Sequence, residues 1–155
     1  MAVVLRFLIL IPFGFVTACL TSAFTMLWPY VGRDGSDLLA SPVALVHSTF
    51  AFWAQGAQIG STVLIPWGIF MAVTEIFGLS SIVLHIAAGI TGAVAIIILA
   101  YGEAAPSGSI QAAIVISGLV FALSYWIVAG RRAGSWRPDR RKPAGESAGP
   151  RHDEG

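Results

Sequence analysis

Up to Gly130 the sequence carries only six formally charged side chains: Arg6, Arg33, Asp34, Asp37, Glu75 and Glu103. A water-soluble domain of that size needs a charged skin, typically about 25% Asp, Glu, Lys and Arg. Here 11% of all 155 residues are charged and 56% are hydrophobic, with a mean hydropathy of +0.80. Lipid is the natural solvent for such a chain. The remaining charge collects at the end. Residues 131–155 hold seven bases and four acids, a net +3, which leaves −2 for everything before them. No basic stripe is interleaved with aromatics, so nucleic acid is not an expected partner. A single cysteine, Cys19, excludes an intrachain disulfide and any cysteine-based metal site.

The apolar runs set the fold class. About 20 apolar residues cross a hydrocarbon core of about 30 Å, and four runs qualify: about 3–28, 59–77, 82–101 and 110–129. Trp28, Pro29 and Tyr30 close the first run with the aromatics of a headgroup boundary. Residues 31–41 read as a solvated loop. The stretch from Pro42 to Phe77 would be about 54 Å long as one helix, far more than a bilayer core. Its first half carries a polar stripe, His47, Ser48, Gln55 and Gln58, at helical spacing. The pattern predicts an amphipathic helix over about 43–57, a joint at Gly56 and Gly60, and a span from 59 that Pro66 kinks. Gly78 to Ser81 reads as a tight turn, and 102–109 (GEAAPSGS) as a loop. The expected architecture is all-α: a polytopic membrane protein whose four transmembrane helices form an antiparallel bundle, with an amphipathic helix before the second span. A basic, disordered tail follows over 131–155.

A lipoprotein signal competes for the first run, since Val16-Thr17-Ala18-Cys19 resembles a lipobox. Apolar residues continue past Cys19 to Trp28, which favours an uncleaved helix. Arg131 and Arg132, followed by Arg137, Arg140, Arg141 and Lys142, place the C-terminus in the cytoplasm. Four spans then return the N-terminus, with Arg6, to the same side. The basic tail is suited to anionic lipid headgroups.

Two kinds of residue stand out inside the spans. Only Glu75 and His85 are ionisable there, and they flank the Gly78–Ser81 turn at similar depth. With Arg6, Arg131 and Arg132 they form a candidate polar cluster at the cytoplasmic boundary. It reads as an ion-pair network clamping helix ends, or alternatively as a proton or ligand site. The second kind is small residues at four-residue spacing, which let helices approach closely in lipid. Gly14, Ala18 and Ser22 mark such a stripe on the first run. Ala88, Gly89, Gly92 and Ala93 mark the third, and Ala113, Ser117, Gly118 and Ala122 the fourth. The histidines His47 and His85 fall on opposite sides, so a shared haem is not expected, and no cofactor or metal is assigned.

The segment Leu123-Ser-Tyr-Trp-Ile-Val-Ala-Gly-Arg-Arg-Ala-Gly134 resembles the end of the last span in a group of small uncharacterised four-helix bacterial inner-membrane proteins. That resemblance implies an inner-membrane address in a Gram-negative cell; it implies no activity and transfers no residue roles. No catalytic motif is present. The sequence reading is therefore a non-enzymatic accessory or structural membrane component, partnered by a larger membrane protein or by copies of itself. A small transporter using Glu75 and His85, or a cofactor-bearing anchor, are the alternatives. If the third run packs through its small residues, Gly92→Ile should lower the melting temperature in detergent.

Overall fold

The structure, a computed structural model, describes residues 6–31, 41–102, 104 and 106–133. The described residues form four long helices. A π-helical turn, Arg6–Leu10, leads into α1 (Ile11–Val31); α2 is Pro42–Phe77, α3 is Ile82–Tyr101 and α4 is Gly108–Val128. A short 3-10 turn, Gly130–Arg132, ends the described chain. All four helices are long and apolar enough to cross a membrane. Most of the expected tail over 131–155 and of the loop over 31–41 lies outside the described residues.

Local chemistry explains where the helices begin and stop. Pro12 has no N–H to give to the preceding turn, and the π-helical turn before it is the kind of adjustment that re-pairs carbonyls a proline frees. α2 starts with Pro42 at its first position, where a missing N–H costs nothing. It ends at Gly78, whose left-handed backbone (φ 69°) lets its N–H return to the Thr74 carbonyl. Leu79 N–H closes on the same carbonyl at 2.8 Å. Gly102, at φ 55°, ends α3 in the same manner through the Ile98 carbonyl. Inside the helices, hydroxyls turn back on their own backbone: Thr17, Thr25, Ser48, Thr49 and Thr62 each donate to the carbonyl four residues earlier. A hydroxyl satisfied in this way can face a hydrocarbon medium.

The second helix departs from expectation. Residues 43–57 are not a separate amphipathic helix, because α2 runs unbroken over 36 residues, through Gly56, Gly60 and Pro66. The two glycines are contact points rather than joints. A Cβ at Gly56 would sit 3.2 Å from Leu20 Cδ2, and one at Gly60 would sit 3.4 Å from Cys19 Sγ. They let α1 lie against α2, and α1 is itself continuous through the buried Cys19.

The helices run alternately up and down, but they do not close a ring. α4 is the hub, packed along α1 on one side and α3 on the other, while α2 packs along α1. α2 and α3, joined by the short 78–81 turn, have almost no backbone contact. Side chains are sorted in the reverse of a water-soluble protein. The interior holds small, polar and aromatic residues such as Ala18, Ser22, Ala122, Thr74 and Tyr125. Large aliphatic side chains point outward, with Leu99 85% and Ile65 74% exposed. An apolar exterior of this extent calls for an apolar surrounding.

The closest helix approach is between α3 and α4. A Cβ built on Gly89 would lie 2.5 Å from the Gly118 carbonyl oxygen and 2.6 Å from Ala122 Cβ. One built on Gly118 would lie 2.7 Å from the Gly89 carbonyl oxygen and 2.9 Å from Ala93 Cβ. Gly14, likewise buried, faces Ala129 at 3.1 Å, and Ala18 is wholly enclosed. Gly92 is a correction: no atom lies within 4 Å of a Cβ built there, so it packs against no helix. The expected harm from Gly92→Ile is withdrawn. Gly89→Ala should instead destabilise the protein by about 1–3 kcal/mol, because overpacking here meets backbone that cannot rotate away. Gly92→Ile should stay within about 0.5 kcal/mol of the parent. Thermal melting of both variants in detergent checks the contrast.

Candidate functional site

At the end of the bundle that carries the 78–81 turn, aromatic rings from three helices meet. Trp67 of α2 contacts Phe121 and Tyr125 of α4 edge-on, with centroids 4.9 and 5.5 Å apart. Phe70 contacts Trp67 and also the His85 ring of α3, which stacks on Tyr125 at 6.1 Å. His85 is fully enclosed. Its Nδ1–H donates to the Ser81 carbonyl one turn earlier at 2.9 Å, which leaves Nε2 as the lone-pair nitrogen. That nitrogen has no hydrogen-bond partner and rests over the backbone of Gly130, where a Cβ would be only 2.8 Å away. The Trp67 Nε1–H is likewise buried without an acceptor. Trp126, beside Gly130, donates its Nε1–H to the Ser80 carbonyl at 2.8 Å and so pins the 78–81 turn to the end of α4.

Of the polar cluster expected from the sequence, the described side chains are those of Glu75, His85 and Arg131. Glu75 is buried near the end of α2, 4% exposed, and His85 is buried near the start of α3. Neither imidazole nitrogen bonds Glu75, so the two do not share a proton directly. Arg131 is exposed; its Nε–H donates to the Ile127 carbonyl at 2.8 Å and its guanidinium lies 6.0 Å from the Trp126 ring centroid. It caps its own helix end. The side chains of Arg6 and Arg132 lie outside the described residues. Cys19 belongs to the packed core beside Trp67 and Phe121. Among the described residues no group of three or more His, Cys, Asp or Glu side chains is placed to hold a metal.

The open α2–α3 side forms the larger feature. A cavity of about 390 Å³ lies between these helices, with α4 as part of its floor. Its deep end is at the buried Trp67; Gln55, Gln58 and Tyr101, all more exposed, mark its mouth. Ile59, Val63, Ile96 and Phe121 make the walls apolar, and Gly92 lines the cavity too. The floor is held by a polar seam between α1 and α4. Ser22 and Ser117 hydroxyls bond each other, Ser22 Oγ–H also reaches the Ser117 carbonyl at 3.1 Å, and Thr21 Oγ1–H donates to Ser124 Oγ at 2.9 Å. At the mouth the Gln55 amide lies 3.8 Å from Met26 Sδ.

The sequence reading did not place a cavity between α2 and α3. Gln55 and Gln58 were legible as a polar stripe, and Ser22 and Ser117 as small residues in packing stripes. That they line one cavity follows only from the splay of α2 away from α3. No family model, curated protein or solved structure matches the chain, and the resemblance of residues 123–134 rests on that segment alone. The contact between His85 and Gly130 has a measurable consequence. Gly130→Ala should cost about 1–2 kcal/mol, and in His85→Ala/Gly130→Ala the two losses should fall short of their sum. Additive losses in detergent melting would show that the pair does not touch.

Proposed function

We propose that the chain is a small, non-enzymatic integral protein of a bacterial inner membrane, acting as an accessory or structural component beside a larger membrane partner. Both termini face the cytoplasm in this reading, and the basic tail docks on anionic headgroups. Support for insertion comes from four helices long enough to cross, with aliphatic side chains outward and polar ones inward. Support for the orientation comes from the bases that follow α4.

The observation that carries the accessory reading is the placement of His85. A group that relays protons or ions needs a route to water and room to change partners. His85 has neither: it is enclosed by Phe70, Tyr125 and Gly130, its one bonded nitrogen is tied to its own helix, and it is not among the lining residues of the large cavity. Its role fits a clamp between helix ends. A transporter reading retains one specific observation, two buried ionisable residues at one end of the bundle, Glu75 and His85.

Affinity purification in mild detergent, followed by partner identification, should recover a membrane protein in stoichiometric amount. Recovery of the chain alone under those conditions would sink the accessory reading. In proteoliposomes the parent and Glu75→Gln should be equally inactive in ion flux, whereas flux that Glu75→Gln abolishes would install the transporter reading in its place.

A further inference from the structure

We infer that the cavity between α2 and α3 is a binding site for one acyl chain of a membrane phospholipid, whose uncharged or zwitterionic head sits at the Gln55, Gln58 and Tyr101 mouth. This site stands whether or not the chain serves a larger complex.

Four observations on the cavity converge. Its length is right. From Gln55 to Trp67 along α2 is 12 residues (67 − 55), which at 1.5 Å each is about 18 Å. Half of a bilayer core, the reach of one acyl chain, is about 15 Å. Its volume suffices as well: about 390 Å³ is many times the ~10–15 Å³ of such space that one water-sized group needs, so a run of methylenes fits.

Its free polar groups lie towards one end. Gln55, Gln58 and Tyr101 gather at the mouth; below them the lining is mostly apolar, and its hydroxyls are already bonded, Thr62 to the Gln58 carbonyl and Ser22 to Ser117. An amphiphile has that profile, with a head to solvate and a tail to bury. Its charge is the fourth observation: no charged side chain is among the described lining residues. A purely anionic head would find amide and phenol groups there but no counter-ion, so a zwitterionic head is the better match.

The cavity is also built to persist. Trp67 and Phe70 fill the space between α2 and its neighbours at the deep end. Gly56 and Gly60 hold the other half of α2 on α1, away from α3. Gly92 offers an opening for a block. A Cβ there meets no atom within 4 Å and Gly92 lines the cavity, so the ring of Gly92→Phe should enter it with the fold unchanged.

The probe is phosphatidylethanolamine carrying a dibrominated stearoyl chain, added to the full chain after delipidation in detergent and read by native mass spectrometry. The parent should retain one probe molecule. Gly92→Phe, with unchanged melting, should retain at least about tenfold less. Leu99→Phe, on the same helix but 85% exposed and outside the cavity lining, should bind like the parent. A phosphatidylglycerol with the same chain should bind more weakly. Equal retention by parent and Gly92→Phe would overturn the site, as would equal loss in Leu99→Phe. A preference for phosphatidylglycerol would overturn the assignment of the head. A polypeptide, in place of lipid, cross-linked to a photoreactive residue at position 92 would also overturn the proposal.

Discussion

The meeting of two backbones at Gly89 and Gly118 is the contact on which the bundle depends. Neither residue has a side chain to keep the helices apart, and each lies where a Cβ would press on the other's carbonyl. In a hydrocarbon medium helices gain nothing from hiding apolar surface from one another; association comes from close packing and from polar contacts. At this crossing α3 and α4 come near enough for dispersion and weak Cα–H···O contacts to act along the backbone itself. Ala93 and Ala122, one turn further along their helices, extend the same close approach. With α3 seated there, His85 arrives over Gly130 and Trp126 reaches the Ser80 carbonyl, so the turn between α2 and α3 is fixed from α4.

The opposite face of α4 uses a different device. There, beside the close approach of Gly14 to the end of α4, hydroxyls join the helices: Ser22 to Ser117 and Thr21 to Ser124. Such bonds average about 0.6 kcal/mol in membranes, too little to hold a bundle alone. Their value is in registry. A sliding displacement of α1 along α4 would break the buried Ser22–Ser117 pair and the part-buried Thr21–Ser124 pair together. Packing gives the proximity and hydroxyls give the alignment.

Length and apolar character made the four helices legible, each run being long and apolar enough for a spanning helix. The path of α2 was not legible. Gly56 and Gly60 can end a helix, hinge it or admit a neighbour, and only the presence of Leu20 and Cys19 opposite them decides. Gly89 and Gly92 show the same limit more sharply. Both belong to small-residue stripes of one helix, three positions apart, yet one meets the backbone of α4 and the other lines an open cavity. A stripe in sequence says that a face is smooth; it does not say what covers it. The surroundings of His85 were not legible for a related reason. Spacing about the turn put Glu75 and His85 at similar depth, but helical rotation sends His85 into the rings of Phe70 and Tyr125.

Why the bundle stays open between α2 and α3 follows from where bulk is placed. A short turn normally leaves two helices side by side, and smooth faces would let them zip along their length. α2 has its glycines on the side of α1, and near the turn it carries Trp67 and Phe70. Those two rings pack on Phe121, Tyr125 and His85, so the deep end closes through side chains and not through backbone contact. Beyond them α3 lines the space with Gly92, Ala93 and Ile96, then Ala100 and Tyr101 at the mouth. The wedge of rings at the deep end and the small residues midway leave a slot between α2 and α3. Closing it would require expelling Trp67 from its ring contacts with Phe70, Phe121 and Tyr125.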